Sequence, residues 1–392
     1  MWLLEALNAL TPKVGDKVVV HSRPDLEDGA LAIVQELSAR GYAPILLCEQ
    51  TPNREAASQV QLPAVVMVSK NSLRGRYHFL TAGVVITTHN PYRIHRHPAG
   101  QLILNIWHGE PLAKPVGILA GERPVNCTCT TALSRLGQAF RCLEFGLPAH
   151  RVLVTGAPRN DRLIRAERGS TRRAASVGEA DLLLVWLPTF RSRAQAVGAP
   201  APRADGTPFA GSVPLDADEL GRVDRWLGEN RGTLLVKPHP LAHAPPLVGY
   251  EHIWSIDLPW LWSRHLTLYT LLRGVDCLIT DVSSVWIDFL LTDRPMAFFF
   301  PDIQRYREAR GFNLEPYEDW IPGPLLTQCD GLLDELALLA DGQDRFAENR
   351  RTLKARLHRY QDAGSARRVL DAVGLSGPPA HSRVRASSQP GN

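Results

Sequence analysis

The chain has 392 residues, of which 44% are apolar and 21% charged; this is enough for two domains with real cores and is not the composition of a disordered or fibrous protein. Its 44 Lys and Arg against 40 Asp and Glu leave a formal charge of +4, too small an excess to argue for nucleic acid, though it suits anionic substrates or a membrane surface. No apolar stretch approaches the ~20 residues of a membrane span, and the opening MWLLEALNALTPKVGDK carries Glu5 and no basic n-region, so no signal peptide is read there. Cys48, Cys127, Cys129, Cys142, Cys277 and Cys329 form no C-x-x-C pair and have no His at zinc spacing. They read as reduced, mostly buried thiols, which points to the cytoplasm, free or peripheral on the inner face of the cell membrane.

Residues 17–21 (KVVVH) read as a strand ending in polar groups, and 31–38 as a helix closed by Gly41. Residues 44–48, 64–68, 83–87 and 102–106 are further short strands, the last running into Trp107 and His108, and 152–154 is another. Strands alternate with helical patterns, and polar residues gather at or just past the strand C-termini. That is the pattern of a parallel α/β sheet, which binds ligands beyond the carboxyl ends of its strands. The Arg-rich stretch 165–179 (RAERGSTRRAASVGE) has the composition of a linker, drawn at 169–180. A second α/β series follows, with strands at 182–187, 233–236, 277–280 and 295–300, and a Pro-, Ala- and Gly-rich loop at 198–211. Residues 346–360 form a basic amphipathic helix, apolar at Phe346, Leu353, Leu357 and Tyr360, that packs on the domains or lies on a membrane. The tail 376–392 is Ser-, Pro-, Gly- and Arg-rich and reads as disordered. The expected domains are therefore 1–168 and 181–375.

Five constellations at strand ends carry candidate chemistry. In NIWHGEPL (residues 105–112) a strand ends at His108, an imidazole able to act as a general base near neutral pH, and Gly109 lets backbone or ligand come close. The structural alternative is a His merely hydrogen-bonded in its loop. In GAPRND (156–161) Arg159 can clamp a phosphate bidentately or pair with Asp161 to fix the turn. Thr189, after Pro188, can bond a ligand or cap a helix. Lys237, Pro238, His239 and Pro240 set a cation and an imidazole in a rigid turn, suited to a diphosphate whose charge rises as a bond breaks. Asp281, Val282, Ser283 and Ser284 lie between a buried strand and a helical pattern, where hydroxyls and helix N–H groups hold phosphate. Asp288, four residues past Ser284, shares its helix face and can accept from ligand hydroxyls or orient Lys237 or His239; the spacing is one too long for a capping box. His89 and His97 are irregularly spaced with prolines between them, a poor metal pair. No Asp-x-Asp pair ends a strand to hold Mg²⁺, so neither a metal nor a cofactor is called for.

The ordered segments KNSLRGRYHFLTAG, NIWHGEPLAK, GAPRND, LPTF, KPHP, ITDVSSVWIDFLLTDRPMAFFFPDIQRYREARGF and PGPLL run from Lys70 to Leu326. As a set they resemble the CDP-glycerol glycerophosphotransferases of teichoic-acid synthesis, primases and polymerases included. The resemblance implies a GT-B-like α/β fold, two Rossmann-type domains facing across a cleft, with C-terminal helices. It implies transfer of an alditol phosphate from CDP-glycerol, or from CDP-ribitol, to a hydroxyl of a cell-surface glycan or lipid-linked glycan acceptor, with release of CMP. His108 matches the family's proposed base in Trp-His-Gly, and His239 joins it as the second catalytic residue. Gly109, Glu110, Pro111, Leu112, Arg159, Pro188, Thr189, Lys237, Pro238, Ser283, Ser284 and Asp288 are the implied substrate-binding positions. Glu110 stands where the family usually has Thr, and Val282 where Tyr is common. A carboxylate at Glu110 repels a diphosphate unless it faces the acceptor, so this departure bears on which donor and acceptor are used. Two other readings stand beside this one: a nucleotide-sugar glycosyltransferase on the same fold, and a basic scaffold that docks a membrane assembly through residues 346–360.

Overall fold

The computed structural model describes residues 2–49, 54–60, 62–89, 92, 94, 96–189, 213–238 and 246–377. The chain divides into two compact units, Met1–Glu110 with Val116–Arg165 and His358–Asn392 as unit 1, and Pro111–Pro115 with Ala166–Leu357 as unit 2.

Unit 1 begins with α1 (Trp2–Leu10), β1 (Val14–His21), α2 (Asp28–Ala39), β2 (Ile45–Cys48), α3 (Arg54–Gln59), β3 (Val66–Ser69), α4 (Leu73–Thr81), β4 (Ala82–Thr87) and β5 (Leu102–Asn105). It continues with β6 (Cys129–Ala132), α5 (Arg135–Phe145), β7 (Val152–Val154) and α6 (Pro158–Arg165). The strands form one sheet in the order β3-β2-β1-β4-β5-β6-β7, with every pairing parallel. A parallel sheet is covered on both faces, so its central strands must be apolar throughout. β4 obeys this with all six of its residues buried, and β1 does so over Val18, Val19 and Val20.

Unit 2 contains α7 (Arg168–Ala174), β8 (Leu182–Leu187), α8 (Ala217–Glu229), β9 (Gly232–Val236), β10 (Ile253–Ser255), α9 (Leu258–Trp262), α10 (Leu268–Gly274), β11 (Cys277–Thr280) and α11 (Val285–Phe289). Then come β12 (Met296–Phe299), α12 (Ile303–Arg310), β13 (Leu325–Leu326), α13 (Cys329–Ala340) and α14 (Ala347–Leu357). Its sheet runs β10-β9-β8-β11-β12-β13, again parallel throughout. Leu184, Trp186, Val236, Ile279 and Phe299 fill one side of it, with Trp186 edge-on to Phe299 at 5.4 Å.

Three organisational expectations change. The Arg-rich stretch drawn as a linker is helix α7, whose Arg172 is wholly buried and donates to the carbonyls of Gly178 and Gly274 and, at 2.8 Å, to Asp276. Chain composition alone missed these internal partners. The amphipathic segment 346–360 buries Leu353 and Leu357, and three of its cations are engaged within unit 2: Arg350 with Asp344, Lys354 with Asp293 at 3.4 Å, and Arg356 over the Trp320 ring at 4.1 Å. Its apolar stripe is therefore part of the fold. The terminal helix α15 (Ser365–Ala372) belongs to unit 1 rather than to the second domain. Most of the tail expected to be disordered lies outside the described residues, as does the loop at 198–211. No helix among the described residues is long and apolar enough to cross a membrane.

Asp161 is one of the ties that hold α15 to unit 1, beside the bonds of Arg40 to Asp371 and Leu375. Its Oδ1 and Oδ2 accept from the backbone N–H groups of Ser365 and Ala366, each at 2.8 Å, capping the helix. Gly156 makes room, with φ +81° and the Ser365 side chain where a Cβ would point. The Arg159–Asp161 turn pair anticipated in GAPRND thus gives way to a cap made across the sequence. We predict that Asp161→Ala costs about 1–2 kcal/mol in thermal unfolding, the usual cost of a lost cap, and raises hydrogen exchange across α15. Unchanged protection of that helix would show the cap is not what holds it.

Candidate functional site

In a doubly wound parallel sheet the ligand crevice lies at the carboxyl ends of the two strands where the order reverses, because their following helices go to opposite faces. In unit 2 those strands are β8 and β11; in unit 1 they are β1 and β4.

In unit 2, β8 delivers Pro188 and Thr189, and β11 delivers Asp281, Ser283 and Ser284. Thr189 donates from its backbone N to both Asp281 carboxylate oxygens at 3.1 Å and from Oγ1 to Oδ1 at 2.5 Å. The same carboxylate accepts from Ser283 N at 3.2 Å, and the Asp281 carbonyl accepts from Tyr317 Oη at 2.9 Å. Tyr317 is itself fixed, stacked on Phe312 at 4.4 Å. Asp281 is 3% exposed, whereas Ser283 and Ser284 are half-buried. Ser284 opens α11 without capping it through its side chain, so its hydroxyl is not spent on the helix. α11 is only five residues long, which limits the dipole it can contribute. One strand over, β9 delivers Lys237 and Pro238, both half-buried, and Lys237 N donates to Trp186 O at 3.0 Å. Burial pushes the Lys237 ammonium below its ordinary pKa, and Asp257 pulls the other way. A desolvated cation of this kind gains most from an arriving anion. His239 lies outside the described residues.

Asp288 is placed inside the unit rather than on its surface. It is fully buried and Oδ2 accepts from Tyr269 Oη at 2.7 Å. The i, i+4 relation to Ser284 told nothing about which way the helix turns into the core.

In unit 1, Thr88 N donates to His21 O, and His21 Nδ1 lies 3.3 Å from Thr87 Oγ1, linking β1 to β4. His21 Nε2 lies 3.1 Å from Glu49 Oε1, and Lys70 pairs with the same carboxylate. Burial first and Lys70 second push the His21 imidazole down to about 4, against the opposing pull of Glu49. His89, just past β4, is likewise lowered to about 4, by burial and then by His21 and the nearby cations. Neither His21, Glu49 nor His89 was marked as a site residue from the sequence, although each stands at or within two residues of a strand end.

His108 follows β5 and is exposed, while Ile106, Gly109 and Glu110 around it are buried. Its turn is held from several sides. Trp107 takes φ +47°, an unfavourable backbone for a non-glycine residue, and its N–H donates to Asn105 Oδ1 at 2.8 Å. Arg141, wholly buried in α5, donates to Gly109 O at 2.8 Å.

Glu110, expected to line the substrate site, faces inward. It is 5% exposed, its Oε1 accepts from Leu133 N at 3.5 Å, and a Cβ on Gly137 would stand 1.8 Å from it. The carboxylate therefore sits against the first turn of α5, where it accepts from the residue before the N-cap and complements the helix dipole. The N-terminus of α2 is filled the same way: Glu27 accepts from Gly29 N at 2.9 Å and Ala30 N at 3.1 Å. Burial and then Asp28 raise the Glu27 carboxyl to about 7, while Arg159 lowers it. Arg159, expected on a phosphate, is 3% exposed and serves this interior charge. Pro111 and Leu112 are buried in unit 2, where Asn313 Nδ2 donates to the carbonyls of Pro111 and, at 3.1 Å, Lys114.

His97 uses both ring nitrogens, on Asn126 Oδ1 at 2.8 Å and Thr128 Oγ1 at 3.1 Å, apart from His89, which bonds Thr88. Among the described residues no three His, Cys, Asp or Glu side chains gather as a metal site.

A model of the family described as CDP-glycerol:poly(glycerophosphate) glycerophosphotransferase matches residues 3–375. The teichoic acid ribitol-phosphate polymerase TarK of Staphylococcus aureus is 25% identical over 281 residues, 69% of this chain and 52% of that protein. The teichoic acid poly(glycerol phosphate) polymerase of Staphylococcus epidermidis is 32% identical over 267 residues, 63% of this chain and 35% of that protein. The chain thus spans about half or less of the length of these relatives. A solved structure of the wall teichoic acid polymerase TagF superposes with a TM-score of 0.75 at 21% identity, covering 99% of this chain and 94% of that one. That likeness establishes a GT-B-like fold of two parallel-sheet α/β domains, the class expected from the sequence.

The lowered His21 imidazole has a consequence for stability. Between about pH 6.5 and 4 the unfolded chain takes up a proton that the folded chain refuses, so stability is full above this window and is lost as pH falls through it. One such group costs about 1.4 kcal/mol per pH unit, or about 2 kcal/mol between pH 6.5 and 5. Replacing it, as His21→Asn, should flatten the acid limb of thermal stability against pH. An equally steep limb in the variant would mean that His21 is not held neutral.

Proposed function

The chain belongs to the CDP-glycerol:poly(glycerophosphate) glycerophosphotransferase family, and on that premise we propose that it transfers glycerol phosphate from CDP-glycerol to a hydroxyl of a cell-surface glycan or lipid-linked glycan, releasing CMP. The observation that carries this reading is the switch point of unit 2, where Thr189 is bonded to Asp281, Asp281 accepts the Ser283 N–H, Ser283 and Ser284 are half-buried, and the neighbouring strand β9 ends at the desolvated Lys237. Hydroxyls, backbone N–H groups and a cation are what a pyrophosphate needs as charge builds on its leaving oxygen. In unit 1 the starts of α2 and α5, the helices that follow β1 and β6, already carry Glu27 and Glu110.

In this reading unit 2 binds the donor through Ser283, Ser284, Lys237 and the Pro188–Thr189 turn. His239, two residues beyond Lys237, adds a second stabiliser of the leaving charge. Asp288 acts through Tyr269 by fixing the α11 segment. His108, the exposed imidazole of unit 1, takes the proton of the acceptor hydroxyl. The acceptor oxygen then bonds to the β-phosphorus, the bond from that phosphorus to the oxygen bridging to CMP breaks, and CMP leaves with the electron pair. With a lipid-linked acceptor the protein works at the inner face of the cell membrane, by surface contact.

CDP-ribitol is the second reading of the donor. Relatives that act with ribitol phosphate and with glycerol phosphate match the chain comparably, and the serine–lysine cradle addresses the phosphates rather than the alditol. A nucleotide-sugar donor fits the same cradle but not the family match over residues 3–375.

The test is CMP release from CDP-glycerol and CDP-ribitol against a panel of lipid-linked and soluble glycans, with products weighed by mass spectrometry. His108→Ala should lower kcat by roughly 10²–10⁴, the usual worth of a general base, with little change in KM for the donor. Near-wild-type turnover in that variant would remove His108 from the chemistry. Thermal stabilisation by UDP-sugars but not by CDP-alditols would favour the glycosyltransferase instead.

A further inference from the structure

Among the described residues, His89 is a strand-end imidazole of unit 1 that lies against His108 and that the reaction above leaves unused. Its ring lies parallel to that of His108, with centroids 4.3 Å apart and an interplanar angle of 5°. Trp107 flanks the pair, 4.4 Å from His108 and 5.9 Å from His89. The two imidazoles differ in exposure. His108 is exposed, whereas His89 is fixed through both its ring and its backbone.

The ring is held by Thr88, whose Oγ1 is 3.0 Å from His89 Nδ1 and accepts from Arg23 N at 3.1 Å. The Thr88 hydroxyl keeps its proton and a second lone pair for Nδ1, so it can bond either tautomer of the neutral ring. The backbone is held by Thr87, whose Oγ1 accepts from His89 N at 3.1 Å and donates to His89 O. Thr87 and Thr88 are buried, so none of these bonds competes with bulk water. The charged and titratable groups acting on His89 are His21, Arg23, Glu49 and Lys70. Burial is the largest cause of the lowered pKa, and the cations Arg23 and Lys70 add to it against the pull of Glu49, so the ring is neutral at working pH.

A neutral imidazole held parallel to another has two effects. It limits the swing of the exposed ring, and it presents a π face to any positive charge that ring acquires. We propose that His89 is a positioning residue for His108: it fixes the plane of the exposed imidazole and cushions the imidazolium formed when His108 takes the acceptor's proton. This rests on the reading of His108 as the base. Neither effect requires His89 to touch a substrate or to exchange a proton itself. The same stack accounts for a histidine in THNPYRIHRHP without recourse to a metal.

Three variants separate the roles, read as steady-state CMP release with CDP-glycerol and the acceptor that the panel selects. His89→Gln keeps a hydrogen-bonding group for Thr88 but removes the ring; His89→Leu removes both; His89→Phe keeps a flat π face. Misplacing a catalytic group by about an ångström costs ~10²-fold in rate, so Gln and Leu should lower kcat by roughly 10- to 100-fold with donor KM within about twofold, and Phe should recover most of that loss. In a His108→Ala background, His89→Gln should have no further effect. Gln and Phe equally impaired, or Gln indistinguishable from wild type, overturns the proposal. The two readings fail separately. A fully active His108→Ala removes the base, whereas an inactive His108→Ala beside a fully active His89→Gln removes only the positioning role.

Discussion

The bond from Thr189 to Asp281 ties together the two strand ends at which the sheet of unit 2 reverses its order. A parallel sheet spends its backbone hydrogen bonds between strands, so the first residues past its carboxyl edge are the first available for other work, and only if something holds them still. Asp281 does that for Ser283 by accepting its N–H, and Tyr317 does it for Asp281 by donating to its carbonyl. The aromatic group behind, Phe300, Tyr306, Phe312 and Tyr317, turns this local cross-link into part of the core. The serine hydroxyls stay half-buried at the rim while everything beneath them is committed. Such a rim is pre-organised: little conformational freedom remains to be lost when an anion binds.

Unit 1 has the same topology at its switch point and a different electrostatic outcome. Glu27 sits on the N-terminus of α2 and Glu110 on that of α5, so the positive helix ends that would draw a phosphate are already neutralised by the chain. Buried Arg159 acts on Glu27 and buried Arg141 on Glu110. What unit 1 leaves exposed is an imidazole, on a turn clamped by Arg141 and backed by a second imidazole. Two sheets of one kind thus present different groups, half-buried hydroxyls and a desolvated cation in one and an exposed imidazole in the other, and the proposed division into anion binding and proton transfer rests on that difference.

Much of this was legible in the sequence. The strands at 182–187 and 277–280 coincide with β8 and β11, since six- and four-residue apolar runs bounded by polar groups allow few other assignments. The motifs past them, with Thr189, Ser283 and Ser284, fall at the switch point. β6 was missed because CTTA has no apolar run; Thr130 instead pays its way by donating to Asn105 O. β10 and β13, of three and two residues, are too short to show a period. Arg159, Glu110 and Asp288 looked like ligand contacts because their chemistry suits a ligand. Their burial depends on partners far away in the chain, such as Glu27, α5 and Tyr269, and no local pattern reveals those. The stacking of His89 on His108 escaped for the same reason, as it joins residues that follow different strands.

The account turns on where the diphosphate goes. A structure of the protein with CDP-glycerol bound tests this most directly. The account predicts the β-phosphate within hydrogen-bonding distance of Ser283 or Ser284, with Lys237 on the pyrophosphate. A pyrophosphate at the start of α2 or α5 in unit 1, with Glu27 or Glu110 displaced, would contradict it.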